Sequence, residues 1–259
     1  MRKMMYGCVL GCMAALVLVM GSACAGSQEK VAAIDPEAKK IVKALSKTSQ
    51  SDQLVKYKVY DTSDEVTETG EMIQYGHVRT VVLRRPDRLM METRGDRSNI
   101  TLWYDGALFT LLDRDKNVYA QLKAPATLDE TIDMVYDRYG ISTPLADMLS
   151  GDIYAVLMDS AITCRYLGLG LVGERTCHHI AATQKDVDWQ AWIDQGDSPH
   201  LRKLVITYKQ LDGSPRYTVM LVEAEALTSV SPGTFAAQLP EGAAEVEPLP
   251  YEEDEKSLL

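Results

Sequence analysis

The sequence predicts an α+β domain: a curved antiparallel β-sheet forming an unclosed barrel, with short helices covering its concave face. Three observations lead there. Two blocks of short β-forming runs are joined by tight turn signals, Leu54 to Leu122 and Ile162 to Leu227. A helical stretch, Pro125 to Leu157, separates them. Several strands, such as Leu108-Phe109-Thr110-Leu111-Leu112 and Leu204-Val205-Ile206, are apolar on both faces, so the sheet needs a cover.

The chain opens with Arg2 and Lys3, then a charge-free apolar run from Met4 to Met20. Gly21-Ser22-Ala23-Cys24-Ala25 ends it in an Ala-x-Ala cleavage pattern. The run is shorter than the roughly 20 residues that span a bilayer. We therefore expect residues 1–25 to be a signal peptide and the protein to be exported to the periplasm. Cys24 offers a second route, lipidation, although Gly21 stands where that pathway wants a large apolar residue. Removing two cations shifts the net charge from −10 to about −12. Such an acidic domain repels polyphosphate, which argues against nucleic acid as a partner.

After a linker at 26–34, Asp35 caps a helix with Pro36 in its first turn; Ala38, Ile41, Val42 and Leu45 recur at helical spacing. The helix is expected to fade over Ser46 to Ser51. Strands follow at Leu54–Tyr60, Glu71–Leu83, Leu89–Thr93, Asn99–Tyr104, Leu108–Leu112 and Val118–Leu122. Tight turns between them, such as Asp105-Gly106, mean an antiparallel meander. Thr127 to Glu130 reads as a capping box, Ile132, Val135, Tyr136 and Tyr139 as a helix face, and Gly140 as its stop. Pro144 to Leu149 and Ile153 to Met158 are further short helices. Strands resume at Ile162–Val172, Thr176–Gln184, Asp188–Asp194, Leu201–Tyr208 and Tyr217–Leu227. The single domain is set at 35–244, with an acidic, disordered tail at 245–259.

Two cysteines, Cys164 and Cys177, remain after the signal, and an even pair in an oxidising compartment invites a disulfide. A hairpin turn at Gly173-Glu174 would set them about 20 Å apart, whereas a turn near Gly170-Leu171 would bring them opposite.

Candidate chemistry is thin. Gly168-x-Gly170-x-x-Gly173 matches the dinucleotide fingerprint, but that motif needs a helix N-terminus after it and a strand-like run follows; no cofactor is expected. Cys177 and His179 alternate with His178, and no second ligand pair completes a zinc site. No nucleophile elbow or catalytic triad can be assembled, so no catalytic residue is assigned; acids such as Asp186, Asp188, Asp194 and Asp197 fall in turn-rich stretches. Apolar cavity lining is the remaining role. Trp103, Tyr104, Trp189, Ile193 and Tyr136 are the candidates, with Trp189 and Trp192 on opposite faces of one strand. Arg84, Arg85 and Arg88 around Asp87 form a turn cluster that could also dock a partner.

The ordered segments Arg85-Pro86-Asp87-Arg88-Leu89, Tyr104-Asp105-Gly106, Pro125 to Asp129, Pro144 to Leu149, Cys177-His178-His179-Ile180-Ala181 and Asp188-Trp189-Gln190-Ala191-Trp192-Ile193 resemble a family of predicted bacterial periplasmic proteins, number 2092 among the domains of unknown function. The resemblance runs from about Asp35 to Ala244, and departs at His178, where an acid is expected. The family is similar to the LolA-type carriers of lipoproteins and to mycobacterial lipid-binding lipoproteins. It implies a half-barrel with helices over an apolar cavity. The expected function is that of a non-enzymatic, monomeric binding or carrier protein for a lipid or a lipoprotein acyl chain. The alternative is an envelope module that contacts or senses another protein.

Overall fold

The computed structural model describes residues 33–140 and 144–248. The expected signal peptide, Cys24, most of the linker and most of the tail lie outside the described residues. Helix α1 (Pro36–Ser51) comes first and strands β1 (Leu54–Val66), β2 (Met72–Arg84), β3 (Arg88–Gly95), β4 (Asn99–Tyr104), β5 (Leu108–Asp113) and β6 (Val118–Lys123) follow. Helices α2 (Leu128–Tyr139), α3 (Pro144–Leu149) and α4 (Ile153–Met158) form the interlude. Then come β7 (Thr163–Val172), β8 (Arg175–Thr183), β9 (Val187–Asp194), β10 (Leu201–Tyr208), β11 (Arg216–Ala226) and the short β12 (Ala244–Glu245).

All twelve strands belong to one sheet, ordered β12-β6-β5-β4-β3-β2-β1-β11-β10-β9-β8-β7. Every pairing is antiparallel except β12 with β6. With β12 and β7 at opposite ends of the order, the sheet is not closed into a barrel, as the sequence predicts. The two β-blocks meet at its centre, where β1 pairs with both β2 and β11.

The helices begin as their residues dictate. Asp35 accepts a hydrogen bond from Glu37 N at 2.8 Å, and Thr127 Oγ1 accepts from Glu130 N at 3.3 Å, while Gly140 ends α2 at φ 62°. Helix α1 buries Ala38, Ile41, Val42 and Leu45. It does not fade at Ser46 but continues to Ser51. Its hydroxyls bond back to the helix, Thr48 Oγ1 to Ala44 O on the buried face and Ser51 Oγ to Thr48 O at the exposed end.

Alternation along the strands sets the inner face. Val55, Tyr57 and Val59 on β1 stand beside Leu83, Val81 and Arg79 on β2, and the first of these pairs joins a buried cluster with Leu89, Leu102 and Tyr104. A second cluster joins α1 and α4 to Ile180, Trp189, Ala191, Ile193 and Leu204. Tyr57 and Met91 pack against both. The opposite face of β4 and β5 is also buried, at Thr101, Trp103, Thr110 and Leu112. After β11 the chain crosses this outer face to reach β12. Phe235 is buried on the way under the guanidinium of Arg84, which shares its strand face with Val82. Glu245, the first residue of the tail set apart by the sequence, pairs with Tyr119.

The glycines of the fingerprint-like run shape β7. Gly168 (φ 95°) follows a bulge between Tyr166 and Gly168. A Cβ on Gly170 would sit 2.9 Å from Trp192 Nε1. Gly173 (φ 57°) takes the first central position of the hairpin turn, as a type II′ turn requires. That turn corrects the disulfide expectation: both cysteines are free and buried. Cys164 faces Ala182 and Cys177 faces Gly170, five residues apart on β8 and so about 16 Å along the strand, beyond any S–S bridge. The bulge also moves Cys164 from the Thr183 register expected for an unbroken hairpin.

Burial, with Asp35 nearby, pushes the Cys164 thiol up to about 11, and burial with Asp194 raises Cys177. In the chain from Gly26 onward, both thiols should therefore ignore an alkylating reagent at pH 8 and react stoichiometrically in denaturant. One fast-reacting thiol in the folded protein would contradict this burial. Ile180→Ala, at a fully buried position, should cost about 2–5 kcal/mol in urea unfolding.

Candidate functional site

Among the described residues, an apolar cleft lies where α1, α3 and α4 meet the concave face near the centre of the sheet. Leu45 of α1, Leu145 and Met148 of α3 and Ile153 of α4 form one wall; Tyr57, Val81 and Val219 are among the residues forming the other. Helical spacing on α1 and inward alternation on β1, β2 and β11 aim these side chains at one another. The cavity measures about 70 Å³, room for two or so waters against the 300–1,000 Å³ of drug-sized ligand pockets. It stands closed.

Polar residues also border it: Ser49, Asp52, His200, Arg202 and Lys203. His200 Nε2 lies 3.2 Å from Asp52 Oδ2, and Tyr57 Oη donates to the same oxygen at 3.4 Å. Burial and then the Asp52 carboxylate push the Tyr57 hydroxyl pKa well above its ordinary value, so it remains a donor. Arg85, in the β2–β3 turn, reaches across the helix ends. Its Nη1 donates to Leu149 O of α3 at 2.7 Å; Nε and Nη2 donate to Ser49 O and Oγ of α1, each at 3.1 Å. One cation thus serves the C-terminal ends of two helices, where carbonyls lack intrahelical partners. Burial lowers its pKa, countered by Tyr57, Asp129 and Asp52. The turn cluster read from sequence divides accordingly: Arg84 and Arg88 pair with Asp87, while Arg85 faces the helices.

None of the five residues expected to line a cavity borders this cleft. Trp189 and Ile193 are buried in the larger core cluster. Tyr104 is buried in the other cluster and donates to Pro125 O at 2.6 Å. Trp103 lies on the outer face, and Tyr136 is 52 % exposed on α2, whose buried residues are Leu128, Thr131 and Val135. Trp189 and Trp192 do part to opposite faces: Trp189 is buried, and Trp192 stacks on His179 with ring centroids 4.2 Å apart. The actual lining is chiefly aliphatic. The inward parity of β1 and the stripe of α1 pointed to Tyr57 and Leu45, but aromatic size did not point to Leu145 or Met148.

His178 turns to the concave side and exchanges a 3.0 Å hydrogen bond with Tyr166 Oη. Among the described residues, no three His, Cys, Asp or Glu side chains are placed to hold a metal ion.

No curated protein matches the sequence. Among solved structures, an uncharacterized conserved protein from Thermus thermophilus is similar at 10% identity and a TM-score of 0.48, over 82% of this chain and 99% of that one. The lipoprotein LppX of Mycobacterium tuberculosis is similar at 12% identity and a TM-score of 0.43, over 76% of this chain and 100% of that one. A LolA superfamily protein from Nitrosomonas europaea is similar at 8% identity and a TM-score of 0.36, over 77% of this chain and 97% of that one. A family model described as predicted periplasmic protein (DUF2092) matches residues 38–249. With that match over most of its length, the chain belongs to the DUF2092 family of predicted periplasmic proteins.

Proposed function

We propose that the protein is a periplasmic carrier that takes an apolar chain, from a lipid or the acyl group of a lipoprotein, into the cleft under α1, α3 and α4, and releases it chemically unchanged. The observation that carries this reading is the cleft itself: two chiefly aliphatic walls from separate layers, with Ser49, Asp52, His200, Arg202 and Lys203 as the polar part of the lining. Transfer of hydrocarbon from water supplies about 0.8 kcal/mol per methylene, so eight buried methylenes supply roughly 6 kcal/mol. At about 70 Å³ the cavity cannot hold such a chain as it stands. Loading therefore requires α3 and α4 to lift from the sheet. These helices have six residues each, and polar links at the α3 end, Arg85 to Leu149 O and Gly151 N to Asp129, restrain them. Apolar packing has no directional preference, so the helices can settle on a bound chain as they settle on the bare sheet.

Titration with a fluorescent fatty-acid probe and mass spectrometry of protein purified from its native envelope test the proposal. Saturable probe binding and a co-purifying lipid are expected. Protein that carries no lipid and leaves the probe unbound ends the carrier reading. Val219→Trp, which fills the cleft from the sheet side, should weaken probe binding at least tenfold while the far-UV spectrum stays native. Arg85→Leu should speed hydrogen exchange in α3 and α4 but not in β8 and β9. Unchanged exchange would show that Arg85 does not restrain the helices.

A further inference from the structure

Beyond Val59 and Val219 on the floor of the cleft, the concave face turns polar. Tyr57 and Val59 line the cleft, and the next inward residue of β1 is Asp61. The neighbouring strands change character in step. Val81 on β2 gives way to Arg79 and His77, Met91 on β3 to Thr93, and Val219 on β11 to Tyr217. Across four strands an apolar surface ends in a polar row.

One carboxylate organises the row. Asp61, whose side chain has no solvent exposure, takes the Arg79 guanidinium in a fork: Nε donates to Oδ1 at 2.7 Å and Nη2 to Oδ2 at 3.0 Å. Arg79 Nη1 donates to Thr93 Oγ1 at 3.2 Å, and His77 Nδ1 lies 3.3 Å from Asp61 Oδ2. Tyr217 is buried beside them. Burial and then the Asp61 charge push its hydroxyl pKa above the ordinary value, while Arg79 works the other way.

We propose that this row ends the hydrocarbon track, so that Asp61 and Arg79 set the longest acyl chain the cleft accepts. The inference rests on the carrier reading above. A chain that enters under the lifted helices and runs along β1 has about 13 Å between Tyr57 and Asp61, at roughly 3.3 Å per residue. To go further it must part Arg79 from Asp61 or lie over them. Parting them leaves a charge unpaired in the interior, a penalty greater than one or two further methylenes return. Lying over them strips the last water from Arg79 and His77, and saturated hydrocarbon offers their N–H groups no acceptor. Methylenes up to the row therefore add affinity, and those past it add none.

Displacement of the fluorescent probe by saturated fatty acids of about 8 to 18 carbons tests this, with affinity rising about fourfold per methylene and then levelling off. Asp61→Leu combined with Arg79→Met removes both charges together and should move the plateau to longer chains, the longest acid gaining at least tenfold. A pair with a purely structural role would leave the length profile unmoved. In the wild-type protein, a photoreactive group on the terminal carbon of the first chain at the plateau should label Val59, Val219 or Arg79. Affinity that climbs through the whole series, a plateau the double variant leaves in place, or label on Ser63 or Tyr75 would overturn the proposal. If the double variant fails to fold, the wild-type label decides. Protein that binds no chain of any length ends the carrier reading and this inference with it; binding without a length limit ends this inference alone.

Discussion

A sheet buried on both sides needs two covers, and that requirement organises this molecule. Water would face Val81 and Leu83 on one side of β2 and Trp103 and Leu112 on the other side of β4 and β5 if neither cover were present. Helices from two separate stretches supply the first. The crossing from β11 to β12 supplies the second with a single chain, anchored by Phe235 and by the β12–β6 pairing. Hydrophobic burial is non-directional, so it explains why both faces must be covered but not where each cover sits. Polar contacts fix the positions. Asp35 and Arg85 hold α1 at its two ends, and the backbone of β12 docks on the Val118 end of β6.

The cleft follows from that division of labour. It lies where α1 meets the two small helices, close to the residues, Tyr57 and Met91, that join the two core clusters. Each cluster joins neighbouring strands to helix residues. Helix α3 contributes Leu145 to one cluster and Leu149 to the other, so it packs across the seam between them. The buried groups at its rim satisfy one another, with Asp52 shared by His200 and Tyr57.

Much of the architecture was legible in the sequence. Alternation and turn residues placed the strands, and Asp35, Thr127 and Gly140 placed helix ends to within a residue or two. The sheet's central pairing, β1 with β11, was not legible, since nothing local marks two strands so far apart in sequence as neighbours. Nor was the bulge at Leu167, which moves Cys164 by one register. The wall of the cleft escaped for a different reason. Aromatic residues were the natural candidates, but Trp103 and Tyr104 are consumed by the covers and Trp189 by the core, and the lining fell to residues such as Leu145 and Met148. The continuation of α1 through Ser46 to Ser51 was hidden because hydroxyl side chains that favour turns can also bond back along a helix. Only the surrounding packing decides between them.

The place of β1 has a consequence for how the chain reaches its final form. This strand is the first to be delivered and yet lies mid-sheet, so one of its flanks zips to β2 at once while the other waits for β11, the last long strand. A chain synthesised from its N-terminus therefore presents a six-strand half with an uncovered flank until almost all of it has been made. Completion is set by the arrival of the C-terminal third, and the same late segment then seals the outer face.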